Sequence, residues 1–165
     1  MKVAMSLLLL FKAAAFAQTP DASGVNNAPS WAAQATFFAL YVADAGKIAD
    51  WYIRNLGFRI VHSAELPQSA NVVKGIIVEH DGSFIEIIEP RHPAGDVRAD
   101  RPRYDEWRLG VAKIGFVVRD LAVLEAELVK RNVTFNHHTV NSSATKLRTF
   151  AIRDPEGNTI QFFGR

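Results

Sequence analysis

Apolar residues recur along this chain with two periods, one of strands and one of helices, and the whole alternation occurs twice. Thr36 to Val42 is apolar and aromatic on both faces, which suits a strand covered by a helix on one side and fronting a cavity or a partner on the other. Behind it, Ile48, Trp51, Tyr52 and Leu56 fall at helical spacing, with Asp44 as N-cap and Gly57 just past the end, so a helix is expected over 45–56. Phe58 to His62 is then extended and Pro67 to Ala70 reads as a loop. Val72 to Glu79 joins Ser83 to Glu89 across His80-Asp81-Gly82 as a hairpin. From Lys113 the order returns. Lys113 to Arg119 predicts a strand, and Asp120 caps a helix striped by Leu121, Leu124, Leu128 and Val129, with Asn132 where Gly57 stood. Three extended runs follow, Thr134 to Val140, Leu147 to Arg153 and Asn158 to Phe163, the last two joined by Asp154-Pro155-Glu156-Gly157.

The two registers agree. Val42-Ala43-Asp44 falls on Val118-Arg119-Asp120 and Gly82 falls on Gly157, at offsets of 76 and 75 residues. A β-α-β-β-β unit covers one face of its small sheet with the helix and leaves the other bare. The expected fold is therefore α+β, two tandem βαβββ modules forming a curved mixed sheet around a central cleft. The modules are expected over 36–90 and 111–164, as one domain over 36–164. Between them, residues 91–110 hold two prolines, two glycines and a charge cluster that includes Arg98, Arg101 and Arg103 beside Tyr104 and Trp107, and they read as a crossing loop.

Composition changes the picture mainly at the N-terminus. A basic start (Met1-Lys2), an apolar run from Val3 to Phe11 and Ala15-Phe16-Ala17 before Gln18 read residues 1–17 as a cleaved signal peptide, followed by a linker over 18–35. The expected localisation is secreted or periplasmic, with no membrane association of the mature form. Removing Lys2 and Lys12 takes the formal net charge from +2 to zero, which argues against a nucleic-acid partner. With no cysteine there is no disulfide, thiolate metal site or cysteine nucleophile.

The duplicated order, Leu40-Tyr41-Val42-Ala43-Asp44 leading to a helix that ends in Asn55-Leu56-Gly57-Phe58, and the terminal Asp154-Pro155-Glu156-Gly157-Asn158-x-Ile160 together resemble the glyoxalase/bleomycin resistance/extradiol dioxygenase group, the vicinal oxygen chelate superfamily. The resemblance covers about residues 35–164. It implies a cleft in which active relatives hold one divalent metal through a side chain from the first and the fourth strand of each half. Carried over position by position, those places are Phe37, Glu86, Lys113 and Gln161.

Phe37 has no lone pair for a metal, and Lys113 would bring a cation to a cation. Only Glu86 and Gln161 remain as weak metal candidates, so no cofactor is expected. The expected arrangement has the Lys113 ammonium donating to Glu86 and Gln161, as the centre of an anion or carbonyl site or as an ion pair that plugs it. Tyr41, Phe84 and Ile88 share strand parity with these residues and would wall the cleft. His137 would stand at the rim, and Arg148 would add a cation if the face it shares with Phe150 and Ile152 is inward. The reading is a binder of a small organic molecule in a metal-free cleft, with homodimerisation expected from the resemblance. The alternatives are a lactoylglutathione lyase-like enzyme or a dioxygenase that recruits His62 or His137, and a non-catalytic interaction module.

Overall fold

A computed structural model describes residues 35–93, 112–141 and 147–164. The expected signal peptide, most of the linker and crossing loop, and Arg98, Arg101, Arg103, Tyr104 and Trp107 lie outside the described residues. The chain divides after Ala32, and all described residues belong to the unit spanning Ala33–Arg165.

The first module runs β1 (Thr36–Tyr41), α1 (Ala45–Leu56), β2 (Arg59–Glu65), β3 (Val72–His80) and β4 (Ser83–Pro90). The second runs β5 (Ile114–Val117), α2 (Leu121–Lys130), β6 (Thr134–Asn141), β7 (Arg148–Arg153) and β8 (Thr159–Gly164). The strands hydrogen-bond as two four-stranded mixed sheets with the same order, β1-β4-β3-β2 and β5-β8-β7-β6. In each, the first strand is parallel to the fourth and the other pairs are antiparallel.

The local chemistry that starts and stops these elements is duplicated as well. Asp44 accepts from the Lys47 amide at 2.9 Å and Asp120 from the Val123 amide at 2.9 Å, so each helix opens on an aspartate that satisfies an orphan N–H. Past the helix ends, Gly57 takes φ 74° and Asn132 φ 55°, the left-handed conformation that turns the chain back to its sheet. The β3–β4 hairpin closes through Asp81 and Gly82, both at positive φ (45° and 75°), as a two-residue primed turn requires.

Three strands differ from the sequence reading in ways that matter for packing or for the site. β2 extends to Glu65, with a register shift between Ile60 and His62. β5 begins at Ile114, leaving Lys113 outside the ladder, and ends at Val117, where the chain turns toward the Asp120 cap. β8 extends to Gly164, where a side chain would come within 2.9 Å of Leu121 Cβ, so only glycine lets α2 approach the strand end.

One continuous core lies on the helix side of both sheets. Tyr52, Ile48, Ile85, Ile87 and Val78 from the first module join Leu121, Leu128, Phe150, Ile152 and Ile160 from the second, all with side chains essentially out of water. An aromatic chain runs across the join, Tyr52 to Phe58 to Phe116 to Phe162, with ring centroids 5.7, 6.3 and 5.7 Å apart. Polar ties reinforce it. The Tyr52 hydroxyl donates to Asp154 at 3.4 Å, the Ala43 amide to Glu156 at 3.3 Å, and Arg131 donates to the carbonyls of Arg54 and Asn55 at 2.7 and 3.0 Å, capping α1 from the other module. Among the described residues no helix is long and apolar enough to cross a membrane.

Candidate functional site

Strand register fixes which side chains share the sheet faces away from the helices. In the first sheet Ala39 pairs with Glu86, Glu86 with Ile77 and Ile77 with His62, so these four form one row across the strands. In the second sheet Gly115 pairs with Gln161, Gln161 with Ala151 and Ala151 with His137. The rows are equivalent, position for position. An acceptor stands on the fourth strand of each module, a small residue beside it on the first strand, and a histidine two strands away.

Apolar residues flank both rows. Phe37 pairs with Phe84 and Tyr41 with Ile88, on either side of Glu86. Val117 pairs with Phe163 beside Gln161, and Phe163 pairs in turn with Thr149. The first strands leave this face bare, with Phe37, Tyr41 and Val117 exposed to 50%, 74% and 79%. That exceeds what isolated surface hydrophobes require and marks a face built to be covered.

Gln161 is held differently from Glu86. It is buried (7% exposed), and its Nε2 donates to Thr149 Oγ1 at 2.8 Å while Thr149 donates to the Phe162 carbonyl at 2.7 Å. Its Oε1 is buried and meets no hydrogen-bond partner among the described residues. Glu86 is half-buried, and no hydrogen bond or ion pair to it is found among the described residues.

Two expected placements change. Lys113 was to donate to Glu86 and Gln161, yet it is exposed and joined to neither. It precedes the first paired residue of β5, and Gly115 takes the place opposite Gln161. The ion-pair plug is therefore not formed. Arg148 lies on the opposite face from Gln161, because it shares the parity of Phe150 and Ile152, which pack into the helix-side core, and it stands exposed at the start of β7 opposite Gly164.

Phe37, Tyr41, Phe84 and Ile88 share the face of Glu86, and His137 shares that of Gln161. The two histidines of the rows do not complete a ligand set. His62 is exposed and two strands from Glu86, about 10 Å between backbones. His137 is equally far from Gln161 and its Nδ1 sits 2.9 Å from the His138 carbonyl.

Whether these residues fit a resident divalent ion is decided by their donors. Phe37 offers none and Lys113 a positive charge, so Glu86 and Gln161 remain as two oxygen donors. A transition-metal site needs three or four ligands. Among the described residues no group of three or more histidines, aspartates and glutamates stands close enough to hold a metal. The donor set does not fit the ion.

Thr149 was not singled out by sequence reasoning. Its parity with Ala151 across the hairpin ending in Gly157 was the signal that could have found it. Elsewhere, two titratable groups are displaced from ordinary values for structural reasons. Burial pushes the Tyr52 hydroxyl well up, assisted by the neighbouring Asp154 carboxylate. Burial also raises Glu125, but hydrogen bonds from the Thr139 hydroxyl and amide and from His138 outweigh it and leave the carboxyl below its usual range. A groove of about 480 Å³ between the helix C-termini, lined by Trp51, Arg54, Asn55, Arg131, Asn132 and Val133, lies on the helix side, away from both rows.

Residues 34–162 match the family model of the Glyoxalase/Bleomycin resistance protein/Dioxygenase superfamily. A search of curated proteins returned no match. Among solved structures, the chain is similar to a glyoxylase/bleomycin resistance protein/dioxygenase domain from Frankia sp. EAN1pec. Identity there is 19%, with a TM-score of 0.63, covering 82% of this chain and 93% of that one. It is also similar to a glyoxalase family protein from Enterococcus faecalis (19%, TM-score 0.60, covering 80% and 96%). TioX from Micromonospora sp. ML1 is a third (17%, TM-score 0.58, covering 80% and 98%). At such identities the likeness is one of fold.

Proposed function

Given that the chain belongs to the glyoxalase/bleomycin resistance protein/dioxygenase superfamily, we propose that it binds a small organic molecule on the helix-free faces of its sheets without a resident metal. The observation that carries this reading is the acceptor at the centre of an apolar strip in both modules, Glu86 between Phe84 and Ile88, and Gln161 beside Phe163. Apolar walls around a few fixed polar groups are what a small-molecule site consists of: the walls supply affinity and the acceptors orientation. The donor set at Phe37, Glu86, Lys113 and Gln161 supports binding without metal-assisted turnover.

The exposed Phe37, Tyr41 and Val117 support a second copy of the chain as the body that covers these faces. The composition of residues 1–17 supports export of the mature protein as part of this reading. N-terminal sequencing of the protein secreted by its host would find Gln18 first if this is right.

The main test is a nuclear magnetic resonance titration of the full chain with benzyl alcohol and benzylamine. Binding is expected to shift resonances of Phe84, Glu86, Gln161 and Phe163 together. Shifts confined to the groove between α1 and α2, or one equivalent of metal retained after chelator-free purification and supporting turnover, would overturn the reading.

A further inference from the structure

The Gln161 side chain is an amide, which can present either a carbonyl oxygen or an NH₂ to whatever lies in front of it. Which one it presents is decided one residue away. The Phe162 carbonyl can only accept, so the single hydroxyl proton of Thr149, 2.7 Å away, is committed to it. Thr149 Oγ1 is left with acceptor capacity alone, and the amide atom 2.8 Å from it must be the nitrogen. The carbonyl Oε1 is thereby turned away from Thr149. It is buried, as part of a side chain 7% exposed, and finds no partner among the described residues.

A buried acceptor left unpaired costs about 1–3 kcal/mol, and a group kept in that state by its own neighbours is one prepared for a donor that arrives from outside. The residues next to it in the row are Gly115 and Ala151, the smallest available, so no side chain there competes for the oxygen. In the first module the equivalent position carries Glu86, whose carboxylate oxygens likewise accept.

We propose that Thr149 sets the polarity of the site. By fixing the Gln161 amide it makes this row centre an acceptor, as Glu86 is by its own chemistry, and the site selects organic molecules that carry a hydroxyl or N–H donor over those that carry acceptors only. Thr149 acts as a positioning residue here, and the proposal rests on the small-molecule reading above.

The test compares benzyl alcohol with benzyl methyl ether, which keeps the ring and the oxygen and lacks the donor. Both are titrated into the full chain while the Gln161 side-chain amide resonances are followed. The wild type is expected to favour the alcohol by about tenfold or more, because the ether leaves Oε1 unpaired. Thr149→Val, nearly isosteric, frees the amide to turn over and is expected to bring the preference below about threefold. Thr149→Ser restores the hydroxyl and is expected to restore the preference. In the free protein, the Gln161 side-chain amide resonances are expected to coincide in the wild type and the serine variant, and to shift in the valine variant, where the hydrogen bond to the hydroxyl is lost.

Equal binding of alcohol and ether at Gln161 would overturn the polarity proposal and leave the binding site standing. So would a preference that survives Thr149→Val intact. Absence of any Gln161 response to either probe would overturn both. If the valine variant fails to fold, the wild-type and serine comparisons still decide the matter.

Discussion

Replacing Asp154 by alanine tests the join between the modules. Asp154 is 4% exposed and its Oδ1 accepts the Asn158 amide at 2.8 Å. Its Oδ2 accepts the Asn158 side chain at 2.7 Å and the Tyr52 hydroxyl at 3.4 Å. The first two bonds hold the loop between β7 and β8 and are charge-assisted; such bonds contribute about 1.5–3 kcal/mol each, less where water can substitute, as at the half-buried Asn158.

The third bond is long and weak in itself, but Tyr52 is fully buried, so its hydroxyl without a partner costs about 1–3 kcal/mol. Asp154→Ala is therefore expected to lose about 3 kcal/mol in urea unfolding, or about 10 °C in Tm for a unit of this size. Tyr52→Phe removes the hydroxyl and should cost about 1 kcal/mol by itself. Its value is in combination. In the phenylalanine background the orphaned hydroxyl is gone, so Asp154→Ala should cost about 1–2 kcal/mol less than in the wild type. A loss below about 1 kcal/mol, or one of equal size in both backgrounds, would refute the reasoning.

Other perturbations address single contacts. Glu125 has a folded-state pKa below its unfolded value, so its contribution is complete above the ordinary carboxylate range and disappears as pH falls through the lowered pKa; Glu125→Gln should flatten the acid side of a stability-against-pH curve and leave its shape at neutral pH unchanged. Arg131→Ala removes the donor to the last carbonyls of α1 and, with its guanidinium partly in solvent, should cost about 1 kcal/mol by thermal melting, with Arg131→Lys recovering only part of it. Gly164→Ala places a Cβ 2.9 Å from Leu121 Cβ and 3.2 Å from the Val118 carbonyl, and should destabilise by about 1–3 kcal/mol; a neutral effect in chemical unfolding would mean that α2 gives way. Tyr41→Asp together with Val117→Asp should leave secondary structure by circular dichroism intact and shift a dimer to monomer in sedimentation velocity, if a second copy covers these faces.

What the sequence disclosed was local chemistry. Asp44 and Asp120 announce their helices because a carboxylate accepting an N–H three residues on needs only the next turn of chain. Gly57, Asn132, Gly82 and Gly157 mark turns because positive φ is a property of one residue and its neighbours. Counting forward from those turns placed Glu86 and Gln161 correctly on equivalent strands.

Register across strands is less legible, because shifts lie between Ile60 and His62 in β2 and at two places in β6, and each one re-phases which face a residue occupies. The face of Arg148 depended on which side of β7 the helix covers, and the reach of Lys113 on where pairing in β5 begins. Neither is encoded within a few residues. Thr149 was hidden for a related reason: its importance arises from two partners on another strand, twelve and thirteen residues away.

The bond between Tyr52 and Asp154 spans 102 residues of chain, and that between Ala43 and Glu156 spans 113. During synthesis the first module leaves the ribosome long before its partners exist, with the Tyr52 hydroxyl and the helix-side end of its aromatic chain unmatched. Final consolidation therefore waits for the last strand, and contacts of such separation make folding slow relative to a chain built of local ones. A ribosome stalled before Asp154 would hold a first module open to proteases, and release of the last dozen residues would close it.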